Sequence, residues 1–287
     1  MKKVGIIGGS GLYEIDGLEN VKRETFYDSP FGQPSDNFIT GVLDGVEVVF
    51  LARHGKGHHI APSEINYRAN IYEMKRFGVD AVVSVSAVGS LREDIAPEHF
   101  VVPDQFVDRT NKARESSFFT HGIVAHVSMA QPVSAELTKI LIEACRQAKA
   151  VVHDKGTYIN MEGPQFSTLA ESKLYRSWGM DIIGMTNMVE AKLCREAEIA
   201  YASLCAVTDY DCWHPGHAQV SVDMIIGHLM RNVSKSREIL KYAIPLIGRV
   251  QEFSAASALK DAIVTQDKHI SEDDKAKLRI LIQKYIK

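Results

Sequence analysis

The apolar run at residues 199–207 is the feature that most constrains the fold of this chain. Its sequence, Ile-Ala-Tyr-Ala-Ser-Leu-Cys-Ala-Val, carries no charge and leads directly into the polar stretch Thr-Asp-Tyr-Asp-Cys-Trp at residues 208–213. Such a run is typical of a strand buried on both faces, as in parallel sheets that helices cover. Ligands of these sheets bind beyond the carboxyl ends of the strands. The run therefore predicts an α/β fold with a site after residue 207.

The same alternation of strand-like and helix-like segments extends along most of the chain. Further strands are predicted at residues 3–7, 46–52, 80–86, 100–103, 157–161 and 181–185. Helices are predicted at residues 63–77, 134–148 and 222–243, where apolar residues recur every three or four positions. We expect one main domain over residues 1–248 and a helical extension over residues 249–287, in which Ser271 begins a capping box. This extension would pack on the domain or on a neighbouring subunit.

Charge and cysteine content exclude several classes of protein. Since 33 Lys and Arg residues face 36 Asp and Glu residues, the chain lacks the basic excess of a nucleic-acid-binding surface. The four cysteines show no Cys-x-x-Cys spacing, which predicts free thiols in a reducing cytoplasm and no structural zinc. No apolar run reaches membrane-spanning length. We expect a cytoplasmic protein with no membrane or nucleic-acid partner.

Asp209 and Asp211 form the first candidate site, at the end of the long apolar run. Two carboxylates one residue apart on an extended segment point to the same side. Their mutual repulsion and partial burial are expected to raise at least one of the two pKa values. A carboxyl group that stays protonated near neutral pH can donate a proton. The alternative is an Asp-x-Asp pair that only caps the next helix or binds water.

A glycine cluster at residues 5–11 follows the first predicted strand and contains Ser10. Backbone N–H groups of such a loop can surround an anion, and the Ser10 hydroxyl adds a donor. The dinucleotide-binding pattern fails because its third glycine position is Glu14, and no P-loop motif is present. The cluster is equally consistent with a tight turn.

Arg53 and His54 follow the strand predicted at residues 46–52. A guanidinium beside an imidazole suits a tetrahedral oxyanion, since arginine supplies a planar set of donors. His58 lies four residues after His54, which is the spacing of a helical zinc pair, but the intervening glycines argue against a helix. A solvated basic loop is the simpler alternative.

Five segments resemble motifs of the trimeric purine nucleoside phosphorylase family, and in particular its members that act on methylthioadenosine. They are residues 5–12, 52–55, 66–70, 162–167 and 206–213, and the resemblance extends through about residue 248. It implies a nucleoside phosphorylase-like fold with a mixed central β-sheet. It also implies a phosphate site formed by Ser10, Arg53, His54, Ser86, Ala87 and Thr186.

The resemblance assigns the remaining site residues in the same way. Nucleoside contacts are implied for Phe166, Ser167, Met185, Thr208 and His58, with Val222, Ile225 and Ile226 as an apolar wall at the 5′ position. Asp209 matches the residue that hydrogen-bonds adenine N7, and Asp211 matches its neighbour near the exocyclic amine. His126 matches a histidine that reaches into a neighbouring subunit's site, in a homotrimer or a dimer of trimers.

The implied reaction is phosphorolysis of 5′-methylthioadenosine to adenine and 5-methylthioribose 1-phosphate, by a pentosyltransferase of purine and methionine salvage. Inorganic phosphate is the nucleophile, so neither a metal nor an organic cofactor is expected. Ser167 stands where relatives that cleave 6-oxopurines carry Glu, and Asp209 stands where they carry Asn, which favours a 6-aminopurine. Residues 187–190 depart from the family, which usually has a Pro-Glu pair there.

Three alternatives stay open at this point. One is a broader purine nucleoside phosphorylase that accepts adenosine, inosine or methylthioinosine. Another is an inactive nucleoside sensor, against which the intact Arg53, His54 and Asp209 argue. The third is a metal-dependent hydrolase that uses His58 and His59.

Overall fold

A computed structural model describes residues 2–9, 11–26, 28–111, 114–215 and 222–286, the stretch 222–230 by its backbone alone. These residues form the strands β1 (Val4–Gly8), β2 (Glu19–Glu24), β3 (Phe38–Leu43), β4 (Val46–Ala52), β5 (Ala81–Ser90), β6 (Phe100–Val101), β7 (Gln105–Arg109), β8 (Val152–His153), β9 (Thr157–Met161), β10 (Ile182–Gly184) and β11 (Ala200–Asp209). The α-helices are α1 (Tyr67–Arg76), α2 (Ala135–Gln147), α3 (Leu169–Ser177), α4 (Asn187–Glu196), α5 (Val222–Gly248) and α6 (Glu272–Ile282).

One mixed sheet organises the molecule, and β5 lies at its centre. β5 pairs in parallel with β1 on one side and with β11 on the other, and β1 pairs in parallel with β4. β10 pairs antiparallel with the end of β5, and β9 and β7 follow as parallel neighbours. β2 and β3 extend the opposite edge as antiparallel strands. The predicted mixed α/β fold is confirmed, and the carboxyl ends of β1, β4, β5 and β11 meet at one edge.

Helices bury an apolar cluster on each face of this sheet. On one face, Ile71 of α1 and Leu193 of α4 share a cluster with strand residues such as Val82. On the other face, Leu141 of α2 and Ile239 of α5 do the same. The two layers cover the faces of the sheet and leave the ends of the strands uncovered. Within the part of the chain that the structure describes, no helix has the length and apolarity to cross a membrane.

The predicted strands and helices are all present; β4 and β9 have the predicted bounds, and the others have shifted ends. β5 continues four residues past the predicted end at residue 86, and β11 continues to Asp209. α1 begins later than predicted because the Asn66 side chain caps it by accepting from the Ala69 N–H at 3.1 Å. The sequence did not predict β2, β3, β7, β8, α3 or α4, and α4 contributes to the site described below.

Residues after α5 pack against the domain through α6 and a short backbone pairing. The Ser271 side chain caps α6 by accepting from the Asp274 N–H at 3.1 Å, as predicted. Leu278 and Leu281 belong to the same apolar cluster as Phe118. The His126 N–H donates to the Ala262 carbonyl at 2.9 Å. Through these contacts the extension holds the segment that carries His126.

We predict that Leu281→Ala lowers the free energy of unfolding by about 2–5 kcal/mol, because it leaves a cavity in a buried cluster. Leu281 is 3% exposed, whereas Arg279 on the same helix is exposed. Arg279→Ala is the matched control and is expected to change stability by less than about 0.5 kcal/mol. Urea unfolding of both variants tests this. Equal stabilities would show that α6 is not part of the cooperative fold.

Candidate active site

A buried ion pair between Arg53 and Glu190 lies among the residues of the candidate site. Arg53 follows β4 and is 3% exposed, and Glu190 on α4 is 1% exposed. Arg53 Nε donates to Glu190 Oε1, and Arg53 Nη2 donates to Ser84 Oγ at 2.6 Å. Glu190 Oε2 also accepts from Ser84 Oγ at 2.7 Å and from the Tyr201 hydroxyl at 3.0 Å. Burial opposes the charge of Arg53, but the Glu190 carboxylate more than offsets this and raises the pKa of Arg53.

The guanidinium also ties the end of β1 to the middle of β5. Arg53 Nη1 donates to the Val85 carbonyl at 3.3 Å, and Nη2 lies 3.4 Å from the Ile7 carbonyl. The second hydrogen of Nη1 has no acceptor among the residues that the structure describes. The predicted anion-binding arginine therefore directs most of its donors into the protein.

His54 is a neutral imidazole with a defined tautomer. Its Nδ1 lies 2.8 Å from the Ile60 carbonyl, which can only accept, so Nδ1 carries the hydrogen and Nε2 carries a lone pair. Burial and the nearby Arg53 charge lower the pKa of His54 to about 4. The ring stacks on that of His58 at 4.2 Å between centroids. At neutral pH His54 offers an acceptor to a protonated oxygen rather than a positive charge to an anion.

Ser86 and Thr186 come together on the side chain of Asn187. Ser86 Oγ in β5 lies 2.8 Å from Asn187 Oδ1, and Thr186 Oγ1 lies 3.1 Å from the same oxygen. Ala87 follows Ser86 in β5 and is exposed. Thr186 is the N-cap residue of α4, but its side chain makes no capping hydrogen bond. The structure thus brings together two of the predicted phosphate-binding hydroxyls, while Ser10 lies outside the described residues.

Asp209 and Asp211 form a turn at the end of β11. The Asp209 carboxylate accepts from the Asp211 N–H and from the Thr208 hydroxyl, each at 2.7 Å. Asp211 has φ 52°, so the extended geometry assumed from the sequence stops at Asp209. Burial raises the pKa of Asp211, and the negative charge of Asp209 adds to this effect, which confirms the predicted direction. Gly89 leaves room for the two aspartates, since a Cβ at this position would lie only 3.0 Å from Asp209 Oδ1.

Of the predicted nucleoside contacts, Ser167 lies at this turn. Phe166 is 49% exposed, whereas Ser167 is 9% exposed and its hydroxyl is one of the groups that face the Asp211 carboxyl. Met185 packs its sulfur against Gly163, where a Cβ would lie 2.5 Å from Sδ. His58 and His126 are both exposed. The side chains of Val222, Ile225 and Ile226, at the start of α5, lie outside the described residues.

Sequence reasoning missed several residues that shape the site, most of them buried. Arg114 is one of them, and its Nε donates to Glu162 Oε1 at 3.0 Å. Its guanidinium also donates to the carbonyls of Glu162 and Met185, which fixes the loops after β9 and β10. Glu190 was noted only as part of a departure from the family pattern. A carboxylate on a helix face with buried neighbours such as Val189 and Leu193 is the signal that could have singled it out.

No group of three or more His, Cys, Asp or Glu side chains in metal-binding arrangement occurs among the described residues. His54 Nδ1 donates to a backbone carbonyl, and His59 Nδ1 lies 3.2 Å from the Lys56 carbonyl. These ring nitrogens therefore face carbonyl groups of the loop. The expectation that the protein needs no metal stays a prediction.

Comparison with known proteins places this geometry in a family. A family model for the phosphorylase superfamily matches residues 3–245. The S-methyl-5′-thioadenosine phosphorylase of Geobacter sulfurreducens is 54% identical over 283 residues, 99% of each chain. A methylthioadenosine phosphorylase from an Antarctic soil metagenomic library has a crystal structure with TM-score 0.93 and 50% identity, covering 98% of this chain and 99% of that one. The Schistosoma mansoni methylthioadenosine phosphorylase in complex with tubercidin has TM-score 0.81 and 38% identity, covering 91% and 96%.

We predict that Glu190→Ala lowers the free energy of unfolding by about 3–5 kcal/mol, because it leaves the Arg53 charge buried without a partner. Asp94→Ala is the control, since it removes an ion pair with Arg92 whose side chains are 60% and 45% exposed. That loss is expected to cost less than about 1 kcal/mol. Denaturant unfolding compares the two. Similar losses would contradict the structural role of the buried pair.

We also predict that His54 titrates near pH 4 with its hydrogen on Nδ1 at neutral pH. The pKa of His54 in the folded state lies below the unfolded value of about 6.5. Between these two pH values the unfolded chain therefore binds more protons than the folded protein. The contribution of His54 to stability is therefore present above pH 6.5 or so and falls as the pH drops towards 4. Nitrogen-15 NMR of the imidazole measures both properties. Titration of His54 near pH 6.5 would contradict the assignment.

Proposed function

The chain belongs to the phosphorylase superfamily, and on this basis we propose that it catalyses phosphorolysis of 5′-methylthioadenosine. The products are adenine and 5-methylthioribose 1-phosphate, and the enzyme is a pentosyltransferase. The observation that supports the proposal is that Asp209 and the hydroxyl of Ser86 lie on neighbouring strands, β11 and β5. Asp209 pairs with Gly89, three residues along β5 from Ser86, which corresponds to about 10 Å along a strand.

The phosphate half of the site uses hydroxyls and a neutral imidazole. Ser86 and Thr186 supply hydroxyl hydrogens, and the free Nη1 hydrogen of Arg53 adds a charge-assisted donor. His54 Nε2 accepts the hydrogen of monohydrogen phosphate, which turns a deprotonated oxygen towards the sugar. Ser10 and the backbone at Ala87 complete this half. Phosphate is a substrate, and the reaction uses neither a metal nor an organic cofactor.

The base half of the site uses Asp209 and Asp211. A phosphate oxygen bonds to C1′ of the sugar while the bond from C1′ to N9 of the base breaks. Adenine takes at N7 the proton that Asp209 shares with Asp211, and the proton that monohydrogen phosphate loses returns to this pair through solvent. Asp211, whose own pKa burial raises, lies beside Asp209 and contacts the exocyclic amine. The expected rate enhancement from this proton transfer is that of general acid catalysis, about 10²–10⁴-fold.

Substrate selection follows from the groups around the base and the 5′ position. Ser167 lies beside Asp211 and leaves the purine 6-position to the carboxyl group, which accepts from an amine. Phe166 and Met185 contact the base and the ribose, and Thr208 holds the Asp209 carboxylate. The family motif assigns Val222, Ile225 and Ile226, whose side chains lie outside the described residues, to the methylthio group. A Schistosoma mansoni relative has been solved with adenine, which supports adenine as the base.

We assign the enzyme to the cytoplasm, to purine and methionine salvage, and to a homotrimer or a dimer of trimers. His126 is exposed and lies on a segment that the residues after α5 hold in place. This position suits a side chain that completes the 5′ pocket of a neighbouring subunit.

The test is base release from 5′-methylthioadenosine, adenosine and inosine, each with and without phosphate. The proposal expects phosphate-dependent adenine release that is fastest from the methylthio nucleoside. Release without phosphate would indicate a hydrolase, and preference for inosine would indicate the broader purine nucleoside phosphorylase. Binding without release would indicate a nucleoside sensor.

We predict that Asp209→Asn lowers kcat for 5′-methylthioadenosine by at least about 100-fold, because an amide cannot supply the proton. Inosine turnover is expected to fall less, since an amide can donate to a 6-oxopurine. Asp94→Asn is the control, as Asp94 forms an exposed ion pair with Arg92. Steady-state rates of base release with both nucleosides measure the effect. An equal loss for both nucleosides would contradict the role of Asp209 in base selection.

A further inference from the structure

Asn187 is a fully buried residue whose side chain joins the ion pair to the phosphate hydroxyls. It is the first residue of α4 and is 0% exposed. Its amide lies between two groups of hydroxyls, one that leads to Glu190 and one that contains Ser86 and Thr186. Because a buried amide needs defined partners, the direction of each hydrogen bond around it can be worked out.

The direction is set at the Glu190 carboxylate, which can only accept hydrogen bonds. The Tyr201 hydroxyl therefore donates to Glu190 Oε2, and Ser203 Oγ donates to the Tyr201 oxygen at 3.0 Å. Ser203 Oγ is then an acceptor for Asn187 Nδ2, which lies 2.5 Å away. This chain fixes the orientation of the Asn187 amide, so that its oxygen faces the opposite side.

Three hydroxyls face the Asn187 oxygen on that side. They belong to Ser86 at 2.8 Å, Thr186 at 3.1 Å and Tyr158 at 3.2 Å. An amide oxygen has two lone pairs, so it accepts well from two of them. Tyr158 is fully buried, and Asn187 Oδ1 is the acceptor for its hydroxyl among the described residues. One hydrogen from either Ser86 or Thr186 is therefore in excess.

We propose that Asn187 is a positioning residue that makes the hydroxyls of Ser86 and Thr186 available as donors to phosphate. This inference rests on the proposed function. Without phosphate, the Asn187 oxygen is shared among the three hydroxyls. When phosphate binds, the hydroxyls of Ser86 and Thr186 rotate towards it while Tyr158 continues to satisfy the amide oxygen. Rotation of a hydroxyl moves no heavy atom, so the site needs little reorganisation to bind phosphate.

The test compares KM for phosphate with KM for 5′-methylthioadenosine in Asn187→Ala. We expect KM for phosphate to rise about fivefold, because the two hydroxyls lose the amide oxygen that holds them in place before phosphate binds. One hydrogen bond contributes about 1 kcal/mol, and 1.4 kcal/mol is tenfold. KM for the nucleoside should change less than about twofold. If Asn187→Ala does not fold, Asn187→Ser replaces it, because serine keeps a polar group in a smaller cavity.

Asn160→Ala is the matched control. Asn160 is also 0% exposed and accepts from the Met188 N–H at 3.0 Å, so it supports the start of the same helix without contacting Ser86 or Thr186. Its replacement should lower the melting temperature but leave KM for phosphate unchanged. An increase equal to that of Asn187→Ala would show that loosening of α4 explains the effect, and would overturn the proposal.

A mutant cycle distinguishes positioning of the Ser86 and Thr186 hydroxyls from a general weakening of phosphate binding. In the background of Ser86→Ala with Thr186→Val, Asn187→Ala should have no further effect on phosphate binding measured by calorimetry. The same loss in both backgrounds, or no loss in either, would contradict the inference. Absence of phosphate-dependent adenine release by the wild-type protein would instead contradict the proposed function, so the two failures are distinguishable.

Discussion

The buried ion pair of Arg53 and Glu190 is the interaction on which the site depends. Removing two charges from water is costly unless every remaining donor and acceptor finds a partner. Here the partners are Ser84 in β5, Tyr201 in β11 and the carbonyls of Ile7 in β1 and Val85 in β5. A network that satisfies the pair also fixes these three strands relative to α4. The carboxyl ends of the same strands carry groups assigned to catalysis.

The electrostatics of the site follow from this arrangement. The Arg53 charge is largely balanced by Glu190, yet together with burial it keeps His54 neutral. The proposed phosphate site therefore offers hydrogen-bond donors and one imidazole acceptor, with little free positive charge. Just after the end of β11, burial raises the pKa of Asp211 and so favours its protonated form. The proposed phosphate and the proposed leaving base thus meet different chemical environments.

Much of the fold could be predicted because buried parallel strands have continuous apolar sequences, of which β11 is the clearest example. β2 could not be predicted, since its residues are largely exposed and lack alternation, and it forms by pairing with β3. β5 was predicted too short because its serines look like a strand end. Their burial is explained only by partners such as Glu190 and Asn187, about 100 residues away. The motifs supplied the site residues, but no local pattern indicated the network beneath them.

A crystal structure with inorganic phosphate and an unreactive adenine nucleoside tests the central claim most directly. The account predicts that phosphate lies within hydrogen-bond distance of the Ser86 and Thr186 hydroxyls and of His54 Nε2. It also predicts that purine N7 faces the Asp209 carboxyl, while Arg53 and Glu190 stay paired. Phosphate bound away from these hydroxyls, or a base turned away from Asp209, would contradict the account.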